Sequence, residues 1–286
     1  MHTQNCEPEA LKHAIKKSLD LINFDFGRKA KKIVIKPNMC YYYHPSTGEV
    51  TDPRFVSVLI DVFRENLDVS EILVVESDAS AMKCKNAFNI LGYDKMAAEK
   101  KVNLVNLTEE KYRIVNKTIG GHAFKFHIPM LFSEADLIVN VPKPKYMEGV
   151  KISCALKNFF GCNAYPNKLI YHKVLDKAIV AVNENIKTHL VVLDGLAVIG
   201  KYTKRLNLVM SSEDPVAADS AVSEMMGLSP RSVGAIVLAA ERGIGVSSFS
   251  SVGEFHYFKE QFPSKGLKDD LRATVANVYL YLFSKH

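Results

Sequence analysis

The chain has 286 residues, 48% apolar and 24% charged, a balance that argues against a disordered chain and allows one large core or two modest ones. Its 37 lysines and arginines outnumber 31 acidic residues for a net charge of +6, spread without a basic tail or stripe, so charge gives nucleic-acid binding little support. Five cysteines, Cys6, Cys40, Cys84, Cys154 and Cys162, lie far apart with no CxxC pair, which indicates neither a zinc motif nor a disulfide framework and fits a reducing compartment.

The opening MHTQNCEPEALKHAIKK lacks the apolar core of a secretion signal, and no apolar run nears the ~18 residues of a membrane span. A cytoplasmic protein without a membrane or nucleic-acid partner is expected. Residues 8–22 carry Leu11, Ile15, Leu19 and Ile22 at helical spacing. KKIVIKPN (31–38) predicts a strand stopped by proline, and DPRFVSVLIDVFRENL (52–67) a helix with Asp52 as its cap and proline in its first turn. EILVVES (71–77) completes a βαβ unit. A helix around 86–100, a strand at 101–107 and a hairpin over 112–128 turning at Gly120 and Gly121 follow. ADLIVNVPK (135–143) predicts a central strand. The second half repeats the alternation: a helix at 172–186, strands at 188–195 and 205–210, helices opened by Asp214 and over 230–243, and a helix at the C-terminus.

Strands alternating with helices predict an α/β fold, with a mostly parallel sheet flanked by helices and two interleaved lobes around a cleft. The lobes are placed at 1–145 and 146–286, with a hinge near 142–170. In such folds ligands bind beyond the carboxyl ends of the strands. The polar residues there are Lys36 and Asn38, then Glu76, Ser77 and Asp78, then Asn140, Lys143 and Lys145, then Asp194. Asp52 and Asp214 are explained by capping. Asp219, inside its helix, is not, and an inward-facing Asp219 would need a cationic partner.

VKISCALKNFFGC (150–162) projects as a helix with Ile152, Leu156, Phe159 and Phe160 on one side and Lys151, Cys154, Lys157 and Asn158 on the other. With Lys143 and Lys145 next to its start, four lysines would form a positive site suited to phosphate or carboxylate. His172, at the next predicted helix start, is a candidate general acid or base with Asp194. No P-loop, GxGxxG or GxSxG motif occurs.

KPN (36–38), TDPR (51–54), VNVPKPK (139–145), ALKNFFGC (155–162), the segment after His172, VVLDG (191–195) and DPVAADSAVSEMMGL (214–228) together resemble the domain of unknown function 362 family over roughly residues 31–255. The resemblance implies one family domain over 1–286 and no assigned reaction. Many members are joined to ferredoxin-type 4Fe-4S modules. This chain has no CxxCxxC run, so a cluster on Cys154 and Cys162 with Cys40 and Cys84 is disfavoured by spacing. After VVLDG the chain has VIGKYTKRLN in place of the family's glycine- and proline-rich loop. More distantly, the order strand, DxTR-like loop, helix, strand is similar to the N-terminal part of nickel-pincer lactate racemases, which hold their cofactor between two domains with lysine and histidine.

The favoured reading is an enzyme acting on a small anionic metabolite or cofactor. Lys36, Asn38, Lys143, Lys145, Lys151, Lys157 and Asn158 would bind the ligand, and His172 and Asp194 would move protons. Glu76 and Asp78 would place a divalent metal if the ligand is a phosphate. The alternatives are an iron-sulfur-linked redox protein served by a separate ferredoxin, and a non-enzymatic binding or assembly factor.

Overall fold

A computed structural model describes residues 8–264. Helix α1 (Pro8–Leu21) presents Leu11, Ile15 and Leu19 to the core, and strand β1 (Lys32–Pro37) follows. Helix α2 (Pro53–Asn66) begins where expected, because the Asp52 carboxylate accepts the free Arg54 amide and Pro53 occupies the first turn. After strand β2 (Glu71–Glu76) the expected single helix is two, α3 (Cys84–Ile90) and α4 (Tyr93–Lys100). They break at Gly92, whose φ of 81° lies in the left-handed region that glycine enters without strain. Strand β3 (Asn103–Asn106) precedes the hairpin β4 (Tyr112–Ile119) and β5 (His122–Pro129), which turns on Gly120 and Gly121 as predicted.

Strand β6 (Leu137–Val141) is buried throughout. The next segment departs from the helical projection. β7 (Lys145–Met147) and β8 (Lys151–Ser153) form a short antiparallel hairpin, and only then does helix α5 (Ala155–Phe160) begin. Lys151 is therefore a strand residue on no shared face with Lys157, and the expected four-residue polar arc does not form. A stretch of 3-10 helix (Lys168–Val174) leads into α6 (Leu175–Asn183). β9 (Leu190–Ile199), β10 (Thr203–Ser212), α7 (Pro215–Met225, capped by Asp214), α8 (Gly234–Glu241) and α9 (Phe255–Gln261) complete the described chain. The expected C-terminal helix lies outside the described residues.

Among the described residues eight strands form one sheet in the order β3-β2-β1-β6-β9-β7-β8, with β10 antiparallel on β9. The five strands from β3 to β9 run parallel. Their apolar runs are continuous because both faces are covered. Ile33 and Ile35 point to the face carrying α1 to α4, while Val34 points to the face carrying the β4–β5 hairpin and α5 to α8. Each such side chain contributes about 1.5–3 kcal/mol by leaving water, so truncating Ile35 to alanine would cost about 2–5 kcal/mol.

Candidate functional site

From β1 the chain first adds β2 and β3 on one side, then β6 and β9 on the other. The strand order thus reverses between β1 and β6, where the loops diverge and open α/β sheets leave a crevice. Lys36 of β1 and Asn140 of β6 face each other in register there. Lys36 is 1% exposed, and its ammonium donates to Glu76 Oε2 at 2.7 Å and to the Pro37 carbonyl at 2.7 Å. Glu76 also accepts the Met39 and Ser77 amides, so the ion pair is desolvated but well supplied with partners. Gly161 makes room for it, since a Cβ there would lie 3.3 Å from Lys36 Nζ and 3.0 Å from the Asn158 carbonyl.

Asn158 of α5 ties this group together. Its amide nitrogen donates to Asn140 Oδ1 at 2.8 Å and to the Lys36 carbonyl at 3.1 Å. Its oxygen accepts from Asn38 Nδ2 at 3.3 Å and Lys36 Nζ at 3.4 Å. A buried amide with donors and acceptors so used holds β1, β6 and α5 in place. Asn38 Oδ1, by contrast, is sealed in without a donor among the described residues.

Helix α5 is only six residues long, and its buried first amides, which have no partner inside the helix, are satisfied from outside it. Asp219 of α7 accepts the Ala155 amide at 2.6 Å and the Leu156 amide at 3.2 Å. The partner expected for Asp219 is thus a helix start in place of a cation. Burial drives its carboxyl up to about 7, against the opposing pull of these hydrogen bonds.

The expected four-lysine site is dispersed. Lys143 is buried and pairs with Asp194 at 3.1 Å. Asp194, wholly buried, also accepts the Asp52 and Leu196 amides, which fastens the α2 cap to β9. Lys145 donates to the Glu49 carbonyl at 2.9 Å and pairs with its carboxylate at 3.3 Å. Lys151 is exposed, with φ of 66°, and donates to the Ser232 carbonyl at 2.7 Å. Asp194 therefore belongs with Lys143 and Asp52, while His172 is exposed in the 3-10 stretch before α6. The expected proton-transfer pair is not assembled.

Lys157 differs from the other lysines of this region. It makes no hydrogen bond or ion pair among the described residues, and it lines an open cleft of about 510 Å³ together with His172, Lys173, Lys177, Glu148 and Asp176. Its side chain is partly buried, and the charges that act on its ammonium are those of Lys145, Cys40 and Glu49. Burial, reinforced by the charge of Lys145, pulls its ammonium down to about 8. Burial also raises the Asp176 carboxyl, against the opposing pull of the Lys151 charge.

Glu76 and Asp78 do not present free carboxylates to a metal. Glu76 serves Lys36, and Asp78 accepts the Cys84 amide at 2.9 Å and pairs with Lys83 at 2.9 Å. Among the described residues no group of three or more His, Cys, Asp or Glu side chains has metal-holding geometry. Cys84, Cys154 and Cys162 are buried, and burial pushes the Cys162 thiol up to about 12 and raises the thiols of Cys84 and Cys154 as well, away from the thiolate that a cluster requires. One buried lysine escaped sequence reasoning. Lys168 donates to Ser77 Oγ at 2.7 Å and the Asp78 carbonyl at 2.5 Å, and burial lowers it to about 8. Its only local signal is a lysine among apolar residues in NKLIY.

Residues 33–224 match the model of a family described as Domain of unknown function (DUF362). No curated protein matches. Among solved structures the chain is similar to the lactate racemase apoprotein from Thermoanaerobacterium thermosaccharolyticum, at 12% identity and a TM-score of 0.43. The match covers 76% of this chain and 55% of that one, so the chain spans about half the length of that protein.

Proposed function

The chain belongs to the DUF362 family, whose name assigns no reaction, and on that premise we propose that it is an enzyme that binds a small phosphate- or carboxylate-bearing molecule in the cleft lined by Lys157 and His172. Lys157 carries the reading. A partly buried ammonium with no ion pair of its own is unfavourable, since the Glu49 carboxylate near it is already held by Lys145 at 3.3 Å, and a bound anion would offset that cost. At neutral pH an ammonium titrating near 8 is still mostly protonated, so it meets an anion as a cation. Lys173, exposed on the same wall and free of partners among the described residues, supplies a second positive charge. His172, likewise exposed and without a hydrogen bond among the described residues, serves as the group that gives or takes a proton.

Asn158 and Asn140 fix α5 and hence Lys157, and the Lys36–Glu76 and Lys143–Asp194 pairs brace the strand ends. A thermal-shift panel of inorganic phosphate, acetate and a neutral isostere tests the reading. Phosphate or acetate is expected to raise the melting temperature in a saturable way that Lys157→Ala abolishes while keeping the fold. No anion-dependent stabilisation, or an equal one in the variant, would overturn it.

A further inference from the structure

We infer that the apolar groove along the outer edge of β10 is a docking site for this chain's own segment 267–283, which packs there as a helix and covers the edge. The inference is independent of the anion-binding reading. Among the described residues β10 pairs with β9 alone. Six consecutive residues of β10, Asn207 to Ser212, line a groove of about 360 Å³ together with α1, α7 and α9. Successive side chains of a strand point to opposite faces, so contact with all six places the groove along the strand's edge. The helices rise from both faces, since Val209 packs with the α1 side of the core and Met210 with the α7 side. A strand paired on one side only leaves outward N–H and C=O groups open to any other strand, and folded chains cover such edges.

Two further features call for a cover. Helix α9 carries Phe255, Tyr257 and Phe258, yet none of its residues is buried, and so short a helix does not hold itself in water. Leu21 and Val252, both lining the groove, are 40% and 58% exposed. Apolar side chains gathered in one open groove mark a binding surface. The occupant is read from the chain itself. After α9 the described residues run to Ser264, and the Lys201 amide, in the turn before β10, donates to the Pro263 carbonyl at 2.7 Å. Segment 267–283 therefore starts a few residues from the groove wall, and such a tether gives it an effective concentration that no second copy has. Its sequence, LKDDLRATVANVYLYLF, sets Leu267, Leu271, Val275, Val278 and Leu282 at steps of four, four, three and four, an apolar stripe on one helix face. A helix bearing that stripe would be about 24 Å long, close to the roughly 20 Å that six strand residues span. Ala14, Ser18, Ala217, Ala218 and Ala221 keep the walls low enough for leucine and valine to enter.

Hydrogen exchange on the full chain, read by peptide mass spectrometry, tests the docking. The amides of α9 and of 267–283 are expected to exchange about tenfold or more slowly in the parent than in the triple variant Leu271→Asp, Val275→Asp and Val278→Asp, whose carboxylates cannot enter the groove. Helix α2 should keep its protection in both, which reports an intact fold. Leu21→Asp, on the groove side, should speed exchange in the same two segments. An amine-reactive cross-linker, applied to an equal mixture of ¹⁵N-labelled and unlabelled chains, should join Lys17 to Lys268 or Lys285 within single chains. If Leu21→Asp fails to fold, the segment variant and the cross-links decide. Exchange of α9 and 267–283 as fast in the parent as in the triple variant, or unmoved by Leu21→Asp, would overturn the docking. Cross-links of mixed isotope would assign the groove to a second copy and overturn it equally.

Discussion

Replacing Lys157 with methionine removes a charge that the folded chain carries at a cost. Burial, then the nearby Lys145, hold its ammonium down from 10.5 to about 8. The unfolded chain has no such constraint, so between those two values it binds more protons than the folded chain, and stability rises with pH. Below the lower value the folded chain bears the whole penalty, at most roughly 3 kcal/mol, reduced by whatever water in the cleft returns to the ammonium. Methionine has a similar length and no charge. Urea denaturation at pH 7 should therefore find Lys157→Met about 1–3 kcal/mol more stable than the parent, with the gap closing as the pH is brought to 10.5. A variant no more stable at pH 7, or a gap unchanged at high pH, would refute the reasoning. The same variant should lose its thermal shift with phosphate, which would make the stability cost of Lys157 the counterpart of its use.

Three further outcomes follow from the packing around it. Removing one member of the buried Lys36–Glu76 pair, by Lys36→Met or Glu76→Gln, should cost about 3–5 kcal/mol in urea, and Lys36→Met with Glu76→Met should cost less than the two single losses together. Asp219→Ala uncaps α5 and should cost about 1–2 kcal/mol and weaken phosphate binding measured by calorimetry. Because the Asp219 carboxyl is raised from 3.8 to about 7, its contribution to stability is fully present below the lower value and is lost as pH rises through the upper one. Parent stability relative to Asp219→Asn should fall over that window. Gly161→Ala presses on Lys36 Nζ and the Asn158 carbonyl and should cost about 1–3 kcal/mol, read as a lowered urea midpoint.

The parallel sheet was legible because KIVIKP, EILVVE and LIVNV are short apolar runs bounded by proline, capping residues and charge, and such runs have few other ways to bury both faces. The Asp52 and Asp214 caps were legible for an equally local reason, since each carboxylate serves amides two or three residues away. The segment 150–162 misled because its apolar residues fit a helical period, whereas β8 depends on pairing with β7 across Gly149, and Lys151 takes a left-handed conformation that no lysine announces. The partners that divide the lysines are distant in sequence. Lys36 meets Glu76 and Asn158, Lys143 meets Asp194, and Lys145 reaches Glu49 only once the strands are in register. Asp219 was rightly marked as unusual, but its partner is backbone, and no residue type signals that.

The most direct test of the central claim, that Lys157 is a partnerless ammonium waiting for an anion, is its own titration. Lysines labelled with ¹³C at Cε can be followed by NMR over pH, with the Lys157 signal assigned from its absence in Lys157→Met. The ligand-free protein should show this signal titrating near 8, and saturation with phosphate should move it upward, because a bound anion favours the charged form. A midpoint at the ordinary lysine value, or one near 8 that phosphate leaves unmoved, would contradict the account.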